Sequence, residues 1–304
     1  MIAAPVVVSW RFGREGEAPL PAIADAPAWL SESELARAAT FKIAKRRHDW
    51  LIGRLNLKAL LVELIDARYG QRCLPAHIVI ARLPSGAPAV RLADAAPGVL
   101  SFAPGAALPL CVSNSHSDGV ALAAASWVDA LDGRTFFGVG ADLERVEPRS
   151  DGFVRDFLTP EERCYCAEGR GEEALVRPNL VWSAKEAVLK VLQLGLSADT
   201  WWLTCLPDDA GPAPTPSTSL GVALNDRNEP GRGATTRRPP ADDAVERAPT
   251  GARSPEFELR PEPETWRRFD VTCDPRLGAG GVRFAGRWRR LGDFVATVAV
   301  GTAA

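Results

Sequence analysis

The sequence lacks several features that would assign a function directly. It contains no GxxxxGK[ST] loop and no GxGxxG segment, which argues against a P-loop and against a dinucleotide-binding fold. Its 36 Lys and Arg balance 38 Asp and Glu, so bulk electrostatic binding to nucleic acid or to a membrane surface is not expected. No apolar run approaches the ~20 residues that cross a bilayer.

Cysteine usage and the first residues also limit the class of protein. The 6 Cys are scattered without a CxxC pair, so we expect free thiols in a reducing compartment and no zinc site. The opening MIAAPVVVSWRF has no basic residue before its apolar run, which predicts a first strand and not a signal peptide. Together these patterns predict a soluble, cytoplasmic protein.

Strand-like and helix-like segments recur in two comparable halves. This order predicts an α+β protein with two similar subdomains, residues 1–130 and 131–304. Residues 207–256 are rich in Pro and Gly and lack aromatic residues, so they cannot bury enough apolar surface to offset the entropy of ordering. We predict a disordered insertion there.

Two helical patterns stand out. The first runs from a cap at Ser31 or Ser33 to Gly70, with a break expected near Thr40. The second, NLVWSAKEAVLKVLQLGL, is expected to end at Gly195.

The stretch FFGVGADLERVEP alternates like a half-buried strand. The alternation places Asp142 and Glu144 on the face opposite the apolar side chains, about 7 Å apart along the strand. Two carboxylates this close repel each other unless a cation lies between them. The pattern therefore indicates either a solvated strand end or a divalent cation site.

The helix VWSAKEAVLKVLQLG places Glu186 and Lys190 one turn apart, opposite its apolar face. Alone, this is typical of a solvated ion pair. If Glu186 lies near Asp142 and Glu144, the three carboxylates make the hard-oxygen donor set that Mg²⁺ prefers.

The segment VSNSHSDG combines small hydroxyls, an imidazole and a turn, which together can bind phosphate. A capped turn with an incidental His116 is the alternative. A serine nucleophile activated by histidine is disfavoured, because Ser115 and His116 are adjacent on a strand and point to opposite faces.

The segment KRRHDWLIGRLNLK carries a cationic stripe on a mostly apolar helix. Arg47, Arg54 and Lys58 fall within roughly 40° of one another when the helix is viewed end-on. Such a stripe suits a phosphate group, and structural salt bridges to carboxylates are the alternative.

These motifs occur in an order that resembles a known family. GVGADLE, followed 44 residues after Asp142 by the Glu of WSAKEAVLK, resembles the signature of the 4′-phosphopantetheinyl transferases. SNSHSDG resembles their S-H-S motif, and RRHDWLIGRLNLK their N-terminal helix motif. The resemblance spans roughly residues 30–200. With the overall length, it points to the larger, surfactin-synthetase-activating type, a single chain with a pseudo-dimeric fold.

The resemblance implies roles around a magnesium ion. Asp142, Glu144 and Glu186 match the Mg²⁺ ligands, and Glu186 also matches the residue that takes the proton from the attacking serine, directly or through water. Lys185 and Lys190 match lysines near the pyrophosphate and the leaving group.

It also implies contacts to coenzyme A. Ser115 and His116 match phosphate contacts. Taken together, the resemblance implies Glu186, Lys190 and His116 as the catalytic residues. Arg46, Arg47 and Arg54 lie where the helix motif meets the 3′-phosphoadenosine end, without indicating which arginine binds it.

The implied activity moves the 4′-phosphopantetheine arm of coenzyme A to a serine of an acyl or peptidyl carrier protein, and releases adenosine 3′,5′-bisphosphate. A monomer serving fatty acid, polyketide or nonribosomal peptide synthesis is expected. One departure is Ala87, which replaces the phosphate-binding lysine of the family's G-K-P motif. This departure leaves open a non-catalytic module that binds coenzyme A or a carrier protein. A Mg²⁺-dependent phosphotransferase using another nucleotide is a further alternative.

Overall fold

The computed structural model describes residues 6–70, 73–93, 103, 105–128, 136–208 and 257–303. Of the predicted disordered insertion, residues 209–256 lie outside these ranges. The elements before residue 130 are β1 Val6–Arg14, α1 Glu32–Ala39, α2 Ala44–Tyr69, β2 Ile78–Arg82, β3 Pro88–Leu92, β4 Leu110–Ser117 and β5 Val120–Trp127. Those that follow are β6 Phe136–Arg145, α3 Asp151–Phe157, α4 Pro160–Glu168, α5 Glu173–Val191, β7 Leu203–Pro207, β8 Phe257–Arg260, β9 Arg267–Cys273, β10 Val282–Leu291 and β11 Phe294–Ala303.

The predicted mixture of helices and strands is present, organised around two main sheets. Their strand orders are β4-β5-β1-β8 and β6-β11-β10-β9-β7, and β2 and β3 form a separate hairpin. One apolar core contains side chains of both main sheets, while α2 packs against the first sheet and α5 against the second. None of the described helices is both long and apolar enough to span a membrane.

One strand joins the predicted halves. β8 follows the residues 209–256 in the chain, yet it pairs in parallel with β1, with Val6 opposite Phe257 and Val8 opposite Leu259. Phe257 and Leu259 are buried in the core that contains side chains of both main sheets. The boundary at residue 130 therefore does not separate two independent hydrogen-bonding units, because the first sheet takes its edge strand from the second half.

The helix boundaries follow local signals, with one exception. Ser31 begins α1 with a capping box, the break falls after Thr40, and Gly70 ends α2 in the left-handed conformation at φ 62°. The prediction that α5 continues to Gly195 is wrong. The helix ends at Val191, four residues before the glycine, because Gln193 adopts a left-handed φ of 56° and turns the chain.

A buried ion pair supports the first half. Glu34 stands at the third position of α1, where its carboxylate accepts from the backbone N–H of Ser31 and, through Oε1, from that of Ile80 in β2 at 3.2 Å. The fully buried ammonium of Lys58 on α2 pairs with the same carboxylate and donates to two backbone carbonyls. One glutamate thus joins α1, α2 and β2.

The second half repeats this arrangement. Glu162 stands at the third position of α4, accepts from the backbone N–H of Thr159, and accepts at 2.7 Å from that of Cys205 in β7. The fully buried Lys185 on α5 pairs with Glu162 at 2.7 Å. Both halves therefore contain the same contact, in which a helix-capping glutamate binds a buried lysine and a strand N–H. The three residues follow each other along the chain in the same order in each half.

Candidate functional site

Two glycines allow α5 to lie directly on β6. A Cβ built on Gly140 would lie 1.8 Å from the carbonyl oxygen of Ala187, and one built on Gly138 would lie 3.3 Å from that of Val191. No side chain fits at Gly140 without moving the helix. This close approach explains the glycine of the G-x-D pattern. It also brings the turn of α5 that carries Glu186 and Lys190 beside the acids at the end of β6.

Asp142 is the buried centre of the site. The residue is 1% exposed, and its Oδ1 accepts hydrogen bonds from the Ser115 hydroxyl at 2.9 Å and from the Lys190 ammonium at 2.7 Å. Its Oδ2 is also buried, but has no hydrogen-bond partner among the described residues. A buried carboxylate oxygen without a hydrogen-bond partner favours a further donor or a cation at that position.

Glu186 reaches the same place from α5. Burial raises the pKa of Glu186 to about 7; the negative charge of Asp142 adds to this shift and Lys190 opposes it. Burial likewise raises the pKa of Glu144 to about 7, with Asp142 adding to the shift and Arg149 opposing it. The negative charge of Asp142 thus raises the pKa of both glutamates, so the three carboxylates lie within electrostatic range of one another.

Two cations offset part of this negative charge. The Lys190 ammonium donates to the carbonyl of Ala141 at 2.9 Å and to Asp142, and lies 3.8 Å from a carboxylate oxygen of Glu186. The guanidinium of Arg149 lies 2.5 Å from Glu144. With all groups charged, three acids face two cations, and one negative charge is left over.

The donors of a magnesium site are present, without its coordination geometry. Within the described ranges, no three or more His, Cys, Asp or Glu side chains are arranged to hold a metal ion. The chemistry nevertheless suits Mg²⁺, because Asp142, Glu144 and Glu186 supply hard oxygen donors with excess negative charge and one unpaired buried oxygen.

The strand β4 is joined to β6 by alternate side chains. Cys111 Sγ accepts from the N–H of Val139 at 3.3 Å, and Ser113 Oγ accepts from that of Ala141 at 2.9 Å. Ser115, the next residue on this face, donates to the side chain of Asp142. One face of β4 thus accepts hydrogen bonds from the backbone N–H groups of β6, and the same face holds Ser115 of the S-H-S segment against Asp142.

His116 points the other way, towards α2. A Cβ built on Gly53 would lie 2.7 Å from His116 Cδ2, so the imidazole packs over the glycine of that helix. Burial lowers the pKa of His116; Asp49 opposes this shift, whereas Lys190 and Lys45 add to it. The imidazole is therefore neutral at pH 7, and its position opposite Ser115 does not suit a serine–histidine nucleophile.

Lys185 is not brought to the acid cluster. Its ammonium is fully buried and donates to the carbonyls of Phe157 at 3.0 Å and Thr200 at 2.8 Å while pairing with Glu162. An ammonium has three N–H donors, and all three are engaged here. We therefore correct its predicted role from a pyrophosphate contact to a structural one.

The predicted cationic stripe on α2 is largely neutralised. Arg54 donates to the carbonyl of Ile80 at 2.9 Å, lies 3.5 Å from Glu34 and stacks over Trp50, while Lys58 pairs with the same Glu34. Structural salt bridging, the alternative for this stripe, accounts for both residues. Arg54 is accordingly not free to bind a phosphate.

The start of α2 offers a different basic surface. Arg46 and Arg47 are both exposed there, and Arg46 lines a cavity of about 340 Å³ between the end of α1 and the start of α2. The cavity is lined by Arg37, Thr40, Phe41, Lys42, Ile43 and Arg46. Three of these six residues are cations, and of the three the sequence predicts only Arg46 as a contact to coenzyme A.

Ala87, the position that the resemblance aligns with a lysine, lies in the turn between β2 and β3. The carbonyl of Ala87 accepts from the N–H of Leu83 at 2.8 Å, and Gly86 adopts a φ of 90°. The guanidinium of Arg82 lies over this turn, since a Cβ on Gly86 would be 3.2 Å from its Nη2. The turn that contains Ala87 therefore has a cation beside it.

Comparison with known proteins supports the transferase type of this site. A family model described as the 4′-phosphopantetheinyl transferase superfamily (ACPS) matches residues 138–221. This range contains Asp142, Glu144, Glu186 and Lys190. No curated protein matches the chain. The match supports membership of that superfamily and a phosphopantetheinyl transferase type of function.

Proposed function

We propose that the protein transfers the 4′-phosphopantetheine arm of coenzyme A to a serine of an acyl or peptidyl carrier protein in a Mg²⁺-dependent reaction. The observation that carries this proposal is the convergence of Asp142, Glu144 and Glu186 within the segment that the superfamily model matches. Coenzyme A as donor, the carrier as acceptor and Mg²⁺ as cofactor are parts of the proposal.

The three acids would hold the metal. When bound by Asp142, Glu144 and Glu186, Mg²⁺ supplies positive charge beside the diphosphate of coenzyme A. The buried Oδ2 of Asp142 would be one ligand, and the side-chain hydrogen bond between Asp142 and a protonated Glu186 would give way to the metal. Lys190, already on the other oxygen of Asp142, fixes that carboxylate and adds a positive charge beside the diphosphate.

Glu186 is suited to accept the proton of the carrier serine. The serine oxygen forms a bond to the phosphorus next to pantetheine, the bond from that phosphorus to the bridging oxygen breaks, and adenosine 3′,5′-bisphosphate leaves with the electron pair. The serine proton passes to Glu186, directly or through water. A carboxylate beside the proposed metal site can take this proton, and Glu186 lies there next to Lys190.

Ser115 and His116 would contact phosphate from β4. Ser115 donates to Asp142, so a diphosphate bound at the proposed metal would lie near its hydroxyl. Burial lowers the pKa of His116, which favours the neutral imidazole in the free protein; its ring N–H would then be a donor to phosphate.

The cavity at the start of α2 supports binding of the 3′-phosphoadenosine end. Arg46 lines it together with Arg37 and Lys42, and Phe41 supplies an aromatic wall. A phosphate and an adenine match these cations and this ring. We therefore prefer Arg46 to Arg54 among the predicted arginines, and we assign Arg82 as the cation that replaces the lysine missing at Ala87.

The repeated contacts of the two halves support the single-chain, pseudo-dimeric type with one site. When the β4–β5 hairpin is aligned with the β10–β11 hairpin, Arg11 on β1 takes the position of Asp142 on β6. When α2 is aligned with α5 at their buried lysines, Glu63 takes the position of Lys190. Arg11 and Glu63 pair at 2.6 Å with the charges exchanged relative to Asp142 and Lys190. At these described positions the first half carries Arg11 and Glu63 instead of Asp142 and Lys190, which supports a single metal site in the chain.

Intact-mass analysis tests the proposal. The protein, coenzyme A and Mg²⁺ are incubated with apo-carrier proteins, and we expect each served carrier to gain about 340 Da only when metal is present. Coenzyme A binding without any mass gain would instead favour the non-catalytic module left open by Ala87. Stabilisation of the protein by ATP with Mg²⁺, but not by coenzyme A, would favour another phosphotransferase.

A further inference from the structure

Arg149 contacts Glu144 without belonging to any predicted motif. It lies after β6 in the segment before α3, and its Nη2 donates to Oε2 of Glu144 at 2.5 Å. Its Nε donates to Oδ1 of Asn179 at 2.6 Å, and its guanidinium stacks 4.8 Å over the ring of Phe153. A more distant contact joins Nη1 to Glu147 at 3.8 Å.

Asn179 fixes the other side of this guanidinium. It is fully buried on α5, and its amide donates to the carbonyls of Glu147 at 2.8 Å and of Leu175 at 2.7 Å. Its oxygen is thereby directed at Arg149. The segment after β6 is tied to the same helix that carries Glu186 and Lys190.

We propose that Arg149, held by Asn179, is a positioning residue that fixes the Glu144 carboxylate for Mg²⁺. This inference rests on the proposed function. Glu144 follows Asp142 at the end of β6 and is less buried, with its side chain 24% exposed against 2% for that of Asp142. A glutamate has three rotatable bonds, and the contact of Oε2 with Arg149 leaves Oε1 available to the metal in one defined orientation.

The geometry distinguishes positioning from charge. A guanidinium carries several N–H donors in one plane, so that its Nε can bind Asn179 while its Nη2 binds Glu144. The compact ammonium of a lysine at the same place cannot span both partners. If Arg149 merely neutralised Glu144, its removal would strengthen binding of a dication. If it positions the carboxylate, its removal weakens metal binding, by about 10-fold or more for an outer contact of this kind.

The test measures metal binding without turnover. Mn²⁺ is titrated into the protein saturated with coenzyme A, with no carrier present, and free Mn²⁺ is followed by electron paramagnetic resonance. The variants are Arg149→Met, Arg149→Lys and Asn179→Ala, with Arg155→Met as control, because Arg155 pairs only with the exposed neighbouring Asp156 among the described contacts.

We expect the Mn²⁺ dissociation constant to rise about 10-fold in both Arg149 variants, to rise by a smaller factor in Asn179→Ala and to stay unchanged in Arg155→Met. Circular dichroism confirms which variants are folded. Unchanged or tighter binding in folded Arg149→Met, or full binding in Arg149→Lys, would overturn the inference. Failure of the wild-type protein to bind Mn²⁺ with coenzyme A would instead overturn the proposed function.

Discussion

The ammonium of Lys190 lies 2.7 Å from Oδ1 of Asp142 and joins the middle of the site to α5. The Asp142 side chain is almost completely buried, whereas that of Lys190 is 29% exposed. This pair engages Oδ1 of Asp142 and leaves Oδ2 without a hydrogen-bond partner among the described residues. In the proposed function, a cation would bind at this free side of the carboxylate.

Glu186→Gln should abolish transfer without unfolding the protein. The amide keeps the size of the side chain but can neither accept the serine proton nor act as a charged ligand, so we expect a loss of at least about 100-fold in kcat. Carrier loading followed by mass spectrometry measures this loss. Metal-dependent loading at the wild-type rate would contradict the role given to Glu186.

The same variant should change how stability depends on pH. In the metal-free wild type, Glu186 keeps its proton up to about pH 7, whereas its ordinary pKa is 4.5. Between these values the folded state binds more protons than the unfolded chain, so this group's contribution to stability falls as pH rises. The free energy of unfolding of Glu186→Gln, relative to wild type, should therefore increase from pH 4.5 to 7.5 by on the order of 1–3 kcal/mol.

Urea denaturation at several pH values, with a chelator present, measures this difference. Comparing variant and wild type at each pH removes the contributions of His116 and Glu162, whose pKa values burial also shifts. A relative stability that is independent of pH would contradict the burial of Glu186 beside Asp142.

Lys185→Met should destabilise the protein by about 3–5 kcal/mol, because it leaves the buried Glu162 without its charge partner. Lys58→Met removes the corresponding partner of Glu34 and is the matched variant. We expect losses of similar size in urea denaturation. A stable, folded Lys185→Met protein with greatly weakened coenzyme A binding would restore the phosphate-binding role that the structure argues against.

Gly53→Ala tests the packing of His116. Helix propensity alone predicts a gain of up to about 1 kcal/mol from this change. The added Cβ would meet His116 at 2.7 Å, so we expect the imidazole to move and the KM for coenzyme A to rise several-fold. In the background of His116→Ala, the same substitution should have little further effect on KM. Equal effects in both backgrounds would show that Gly53 does not act through His116.

Arg82→Met should raise the KM for coenzyme A by about 10-fold if Arg82 replaces the missing lysine, since a charged hydrogen bond to phosphate contributes about 1.5–3 kcal/mol. Arg91→Met on β3 is the control on the same hairpin. The two KM values are measured with one carrier under the same metal concentration. Equal KM values would remove Arg82 from the site.

The strand and the helix that carry the acids were predictable because their signals are local. The alternation along GVGADLE predicts that Asp142 and Glu144 share one face of the strand, and the helical period predicts that Glu186 and Lys190 share one face of the helix. The distance between them depends on Gly140 lying under Ala187, a tertiary contact that no periodicity contains.

The misassigned and missed residues share one physical cause. Lys185 and Lys190 lie on one helix and have the same chemistry, and only the position of Glu162 on α4 decides that Lys185 is structural. Arg54 was similarly assigned to phosphate because its partner Glu34 lies on another helix. Arg149 belongs to no pattern, since its function depends on Asn179 and Glu144 meeting in space.

The central claim is that Asp142, Glu144 and Glu186 bind one Mg²⁺ together with the diphosphate of coenzyme A. Crystals grown with coenzyme A and Mn²⁺ as a stand-in for Mg²⁺ test it by anomalous diffraction at the manganese edge. We predict a single manganese peak within direct ligand distance, about 2.0–2.3 Å, of an oxygen from each of the three acids and from the diphosphate. A metal peak elsewhere, or one from which Glu186 is turned away, would contradict the account.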